Sequence, residues 1–179
     1  MTRVMGVAGL LFGGAAALAA CGSSPSPAAL SPCGAAQLSA SPSHRPDAGL
    51  GHAGITILLH NTGSSTCTLR GYATVTLVNE SVTASHVASV TARKTPSGYL
   101  GGLAPGTTTP PLVTLKSGEV ASFLVEGTDV PEGTAASCIT FKELRITAPL
   151  RTSLGAQLPG CSPPQVHPFV PGVTGHQSS

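Results

Sequence analysis

The chain has 179 residues, with nine basic and seven acidic side chains, a formal charge of +2, and only 9% charged and 3% aromatic residues. So small a net charge leaves no electrostatic footprint for nucleic acid. With 22 Gly and 16 Pro beside plentiful Thr, Val and Ser, the composition favours short strands joined by turns and excludes a long helical or coiled-coil architecture.

The first twenty residues carry one charge, Arg3, followed by an uncharged run from Val4 to Ala20. The run is too short and too rich in glycine (Gly6, Gly9, Gly13, Gly14) to fill a bilayer core of ~30 Å. It reads as a targeting segment that is removed. It ends in Leu18-Ala19-Ala20-Cys21. Two small residues suit a signal peptidase, and the thiol that follows is the nucleophile that takes a diacylglycerol. Residues 1–20 are therefore expected to be a lipoprotein signal peptide and Cys21 the lipidation site. Loss of Arg3 leaves eight basic residues against seven acidic ones, so there is no polybasic patch. Membrane attachment would come from acyl chains, palmitate among them, each buried CH₂ contributing ~0.8 kcal/mol. The expected location is the extracytoplasmic face of the cell membrane.

Residues 21–32 alternate Gly, Ser and Pro without charge or apolar periodicity and read as a tether. Residues 33–171 are long enough for one domain with its own core. Alternating apolar positions predict strands over Gly54–Asn61, Cys67–Tyr72, Thr74–Asn79, His86–Arg93, Leu112–Leu115, Val120–Glu126 and Cys138–Thr147. Pro168 interrupts Gln165–Val170, which places that strand at an edge. Thr95–Pro111 reads as a long, mobile Gly/Pro/Thr loop, and 172–179 as a polar tail. About eight short strands with turns between them predict an all-β, immunoglobulin-like sandwich of two antiparallel sheets.

With Cys21 given to lipid, Cys33, Cys67, Cys138 and Cys161 remain, an even number in an exported chain. Pairing Cys33 with Cys67 would pin the start of the domain to an early strand. Pairing Cys138 with Cys161 would pin a late strand to the end. The alternative joins Cys67 to Cys138 across the sheets, as in immunoglobulin domains, and Cys33 to Cys161. No C-x₂-C spacing favours zinc.

Three stretches stand out as motifs. The first is Asn61-Thr62-Gly63-Ser64-Ser65-Thr66-Cys67-Thr68-Leu69-Arg70-Gly71-Tyr72, an N-T-G turn followed by C-T-L-x-G-Y. The second is Leu115-Lys116-Ser117-Gly118-Glu119-Val120-Ala121-Ser122-Phe123. The third is Cys138 with Leu144–Pro149 and Cys161. Together they resemble an uncharacterised domain family common in exported actinobacterial lipoproteins. Ala73 departs from the family's frequent proline, and the loop at Thr107–Leu112 is longer than usual. The resemblance implies an immunoglobulin-like sandwich in the envelope and no catalytic residue. The motif itself has a structural reading: Gly71 permits a bend, Tyr72 supplies a scarce ring to the core or its rim, and Arg70 is a solvated face.

No Gly-x-Ser-x-Gly elbow, phosphate loop or dinucleotide fingerprint occurs. Asp47, Glu80, Glu119, Glu126, Asp129, Glu132 and Glu143 fall mostly in or beside turns, none paired for acid–base work. His44, His52, His60, His86, His167 and His176 are scattered and read as surface residues; were a metal bound, His52 and His60 would be the pair to test. No catalytic residue, metal site or cofactor is expected. The reading is a non-catalytic binding module whose loops, Thr95–Pro111 above all, hold a protein or small ligand. An envelope hydrolase with an unrecognised site, or a cell-wall spacer, are the alternatives.

Overall fold

The computed structural model describes residues 29–80, 87–131, 133 and 138–177. The expected signal, Cys21, most of the tether, His86 and Glu132 lie outside the described residues. In chain order the strands are β1 (Leu38–Gly49), β2 (His52–Asn61), β3 (Cys67–Arg70), β4 (Thr74–Glu80), β5 (Val87–Thr91), β6 (Arg93–Lys94), β7 (Leu112–Leu115), β8 (Val120–Thr128), β9 (Ile139–Ala148), β10 (Thr152–Gly160), β11 (Gln165–Val166) and β12 (Val170–Pro171). A 3-10 turn at Ala35–Gln37 precedes β1.

The strands form two main sheets and a ribbon. One sheet runs β1-β2-β8-β11-β6, with β12 also on β8; the other runs β10-β9-β4-β5; β3 and β7 pair separately. Pairing is antiparallel except between β11 and β6. The two sheets close on one core. Ile57, Leu59, Ala121, Phe123 and Val125 meet Val75, Leu77, Phe141, Leu144, Ile146 and Leu158, all buried. Phe123 and Phe169 pack edge to face with ring centres 5.7 Å apart. The expected all-β sandwich is present, as are both expected disulfides, Cys33–Cys67 and Cys138–Cys161. They close loops of 34 and 23 residues, and bridges of that span contribute ~3–4 kcal/mol each in the chain-entropy model.

Strands β1 and β10 are not among those predicted. Both are outer strands of their sheets, and their prolines (Pro42, Pro46, Pro159) are tolerated there because an edge leaves some N–H groups without a ladder partner. Each also shifts register, between Pro42 and Pro46 and between Gly155 and Leu158, which scrambles alternation. Pro168 does not mark an edge. It splits the last strand into β11 and β12, and β11 lies inside the sheet between β8 and β6. The break lets Phe169 donate its N–H to Gly71 O at 2.9 Å. Gly71, at φ +88°, supplies the bend its position implied.

Strand β8 is buried on both faces. Ala121, Phe123 and Val125 face the core, while Ser122, Leu124 and Glu126 on the other side are also covered. The cover is made by the segment after β6 and by the C-terminal segment, both expected to be loose. Gly102 N donates to Gly175 O at 3.2 Å, Gln177 N to Gly102 O at 2.8 Å, and Gly175 N to the Ser122 hydroxyl at 2.9 Å. Residues 172–177 are thus part of the fold, and the first half of Thr95–Pro111 is tied down.

Candidate functional site

The two ends of the sandwich differ in kind. At one end, Asn61 closes β2 and is fully buried. Its amide donates to Ser65 O at 2.9 Å and Leu115 O at 3.0 Å, and its Oδ1 accepts from Gly63 N at 3.0 Å. Its backbone pairs with Glu119 O and Gly118 N. The Cys33–Cys67 bridge lies beside it. The Asn61–Tyr72 motif is therefore a structural knot in which every polar group of the asparagine side chain has a partner. Arg70 is exposed, as expected.

The opposite end is apolar and exposed. Leu50 and Gly51 turn β1 into β2 with φ of +43° and +83°. Positive φ at both positions is the type I′ arrangement, which favours Asn, Asp or Gly at the first. Leucine there costs ~1–2 kcal/mol in backbone strain, and its side chain is 85% exposed. Tyr99 (53% exposed) lies over Gly49, and Val130 (57%) lies over Gly51. Three large apolar side chains from three connections thus converge on one tip, with the Cys138–Cys161 bridge beside them: Cys161 N donates to Thr128 O at 3.0 Å.

Beneath the tip is a buried polar cluster. Glu126, 2% exposed, accepts Tyr99 N–H on Oε1 at 3.1 Å and Leu100 N–H on Oε2 at 3.2 Å. His167, fully buried, places Nε2 at 3.1 Å from Glu126 Oε2. Its Nδ1 is 3.2 Å from Thr95 O and 3.3 Å from Thr95 Oγ1, whose proton goes to Gln165 Oε1 at 2.9 Å. His52 Nδ1 stands 2.6 Å from Glu126 Oε1 but off the line of a hydrogen bond; the His52 ring stacks on Tyr99 with centres 4.7 Å apart. Burial would raise the Glu126 pKa, but the hydrogen bond from His167, the Leu100 and Tyr99 amides and the His167 charge outweigh it and hold the carboxyl below its usual range. Gly98 is required for this closeness, since a Cβ there would stand 2.7 Å from the His167 ring.

These residues correct several expectations. His167 is no surface histidine, and Glu126, at the end of the strand expected over Val120–Glu126, is buried and paired with His167. His52 and His60 are not brought together: they sit eight residues apart on one strand, facing Thr128 and Val120 on β8, which separates them by ~26 Å. Among the described residues, no three His, Cys, Asp or Glu side chains converge on a metal-sized site. Leu50, Tyr99, Val130, Glu126 and His167 were not singled out by sequence. One signal was available: Val120 and Leu124 lie on the face of β8 opposite Ala121, Phe123 and Val125, which favours a cover there, and Glu126 lies on that face.

Three surface grooves lie elsewhere. One of about 550 Å³ opens between the edges β1 and β10, lined by residues including Ile55, Lys142 and Ala156. Two others lie near Arg151 and near His176. Glu126, His52 and His167 line none of the three.

No curated protein and no solved structure matches the chain. A family model described as a domain of unknown function, DUF4232, matches residues 33–172, the whole sandwich with both disulfides. The chain belongs to this family of domains of unknown function.

Proposed function

We propose that this chain is a lipid-anchored, extracytoplasmic binding module that takes its partner at the Leu50–Tyr99–Val130 tip. The observation that carries the reading is Leu50, an apolar side chain held almost wholly in solvent by a backbone conformation that leucine disfavours. Full burial of such a side chain against a partner contributes ~1.5–3 kcal/mol, enough to offset the strain.

Leu18–Cys21 in the sequence supports the anchor. The tether would enter the domain at Cys33, at the Asn61 end. Strand β2 spans ten residues from His52 to Asn61, or ~33 Å, so the tip would face away from the anchoring membrane. Photo-crosslinking groups placed at positions 50 and 130 in cells should capture a partner that a group at Lys116, on the Asn61 end, does not. Equal capture from both ends contradicts the reading. For the anchor, Cys21→Ala should move the protein out of the membrane fraction; unchanged membrane association with no lipid mass on Cys21 contradicts it.

The observation that favours the hydrolase reading is His52, a part-exposed imidazole beside a buried carboxylate, as in acid–base sites. Against it stand the stacked Tyr99 ring and the position of the grooves. Ester, peptide or glycan turnover by purified protein, abolished by His52→Ala, would establish it.

A further inference from the structure

The Tyr99 loop carries part of the tip, yet its backbone is not in a sheet. Its position depends on Glu126, whose two oxygens accept the Tyr99 and Leu100 amides. An ionised carboxylate this deeply buried needs a compensating charge. His167 is placed to provide it. Both ring nitrogens face acceptors: Nε2 faces Glu126 Oε2, and Nδ1 faces Thr95 O, a carbonyl that can only accept. A neutral ring carries one N–H and can satisfy one of these; the imidazolium satisfies both. Thr95 opens the segment that Tyr99 and Leu100 continue, so the ring grips it at its start while the carboxylate grips it four and five residues on.

We propose that His167 is held as an imidazolium, and that the buried His167–Glu126 pair is a clamp that positions Tyr99 for recognition at the tip. Its functional meaning rests on the tip being the binding surface, but the clamp itself is a property of the free protein. The pair keeps two protons: one on Nδ1, and one between Nε2 and Oε2. Removing the second leaves a lone pair facing a carboxylate and severs the link between the ring that holds Thr95 and the carboxylate that holds Tyr99 and Leu100. The titratable groups around the pair are His52 from β2, Tyr99 from the loop and, past Gly101 and Gly102, His176 from the C-terminal segment. Glu126 and His167 are positioning residues in this account; neither reaches the tip surface.

The test is made on isotope-labelled protein near neutral pH with no partner present. Two ring N–H protons on His167 are expected, and a single ring proton overturns the proposal. In Glu126→Gln, amide exchange at Tyr99 and Leu100 should rise at least tenfold while Thr68 and Cys33, hydrogen-bonded at the opposite end, keep their protection. Unchanged exchange at Tyr99 and Leu100 also overturns it. If that variant does not fold, the ring-proton count on the wild-type protein still decides. Because no ligand enters either measurement, failure of the clamp is distinguishable from failure of the tip to bind.

Discussion

Asn61 and Leu50 stand at opposite ends of the same two-strand hairpin, and the chain treats them oppositely. At the Asn61 end a polar side chain is buried with all its hydrogen-bonding groups satisfied, and a disulfide reinforces it. At the Leu50 end an apolar side chain is exposed on a strained turn, above a buried carboxylate and two histidines. Local rules are obeyed at the first end and broken at the second. Departures of that kind concentrate where a protein binds or reacts, since stability alone would remove them.

This contrast can be broken or sharpened by substitution. The largest effects on stability should come from the Asn61 end. Replacing both Cys33 and Cys67 with Ala should cost ~3–4 kcal/mol in urea unfolding. Asn61→Ala, which strands the buried Leu115 carbonyl and leaves the Ser65 carbonyl and the Gly63 N–H to water, should cost ~1–3 kcal/mol, the penalty for one unsatisfied buried group. Neither change should weaken partner capture by protein that remains folded. A loss of capture from Asn61→Ala in a folded protein would erase the distinction between the ends.

At the other end, Tyr99→Ser and Val130→Ser should each stay within ~0.5 kcal/mol of wild-type stability, as exposed substitutions do, while weakening binding tenfold or more, the equivalent of ~1.4 kcal/mol. Acid should act through Glu126. Its folded pKa is depressed, so its contribution is present above the unfolded value of ~4.3 and is lost as the pH falls through the lower folded value. Stability of the wild-type protein should fall over that acid range more steeply than that of Glu126→Gln; parallel curves would remove Glu126 from the account.

Much of the Asn61 end was legible in the sequence, because it is local. The turn, the cysteine and the bending glycine fall within Asn61–Tyr72, and the alternation of Ile57 and Leu59 or of Phe123 and Val125 needs only a short window. The disulfides followed from counting cysteines and asking what each bridge would pin. The Leu50 end was not legible, because its parts are distant. Glu126 and His167 are 41 residues apart, and the fold alone joins them. Leu50 between two glycines reveals neither its φ nor its exposure. The same holds for β1 and β10, where edge positions excuse the prolines that argued against strands.

The most direct test of the division between the ends is Leu50→Asn, with urea unfolding and site-specific crosslinking from position 99 measured on the same protein. Asparagine suits the left-handed turn, so stability should hold or rise by up to ~1 kcal/mol, while crosslinked partner falls at least several-fold. A protein that is destabilised, or that captures its partner as well as wild type does, would contradict the claim that Leu50 is kept strained and exposed for binding.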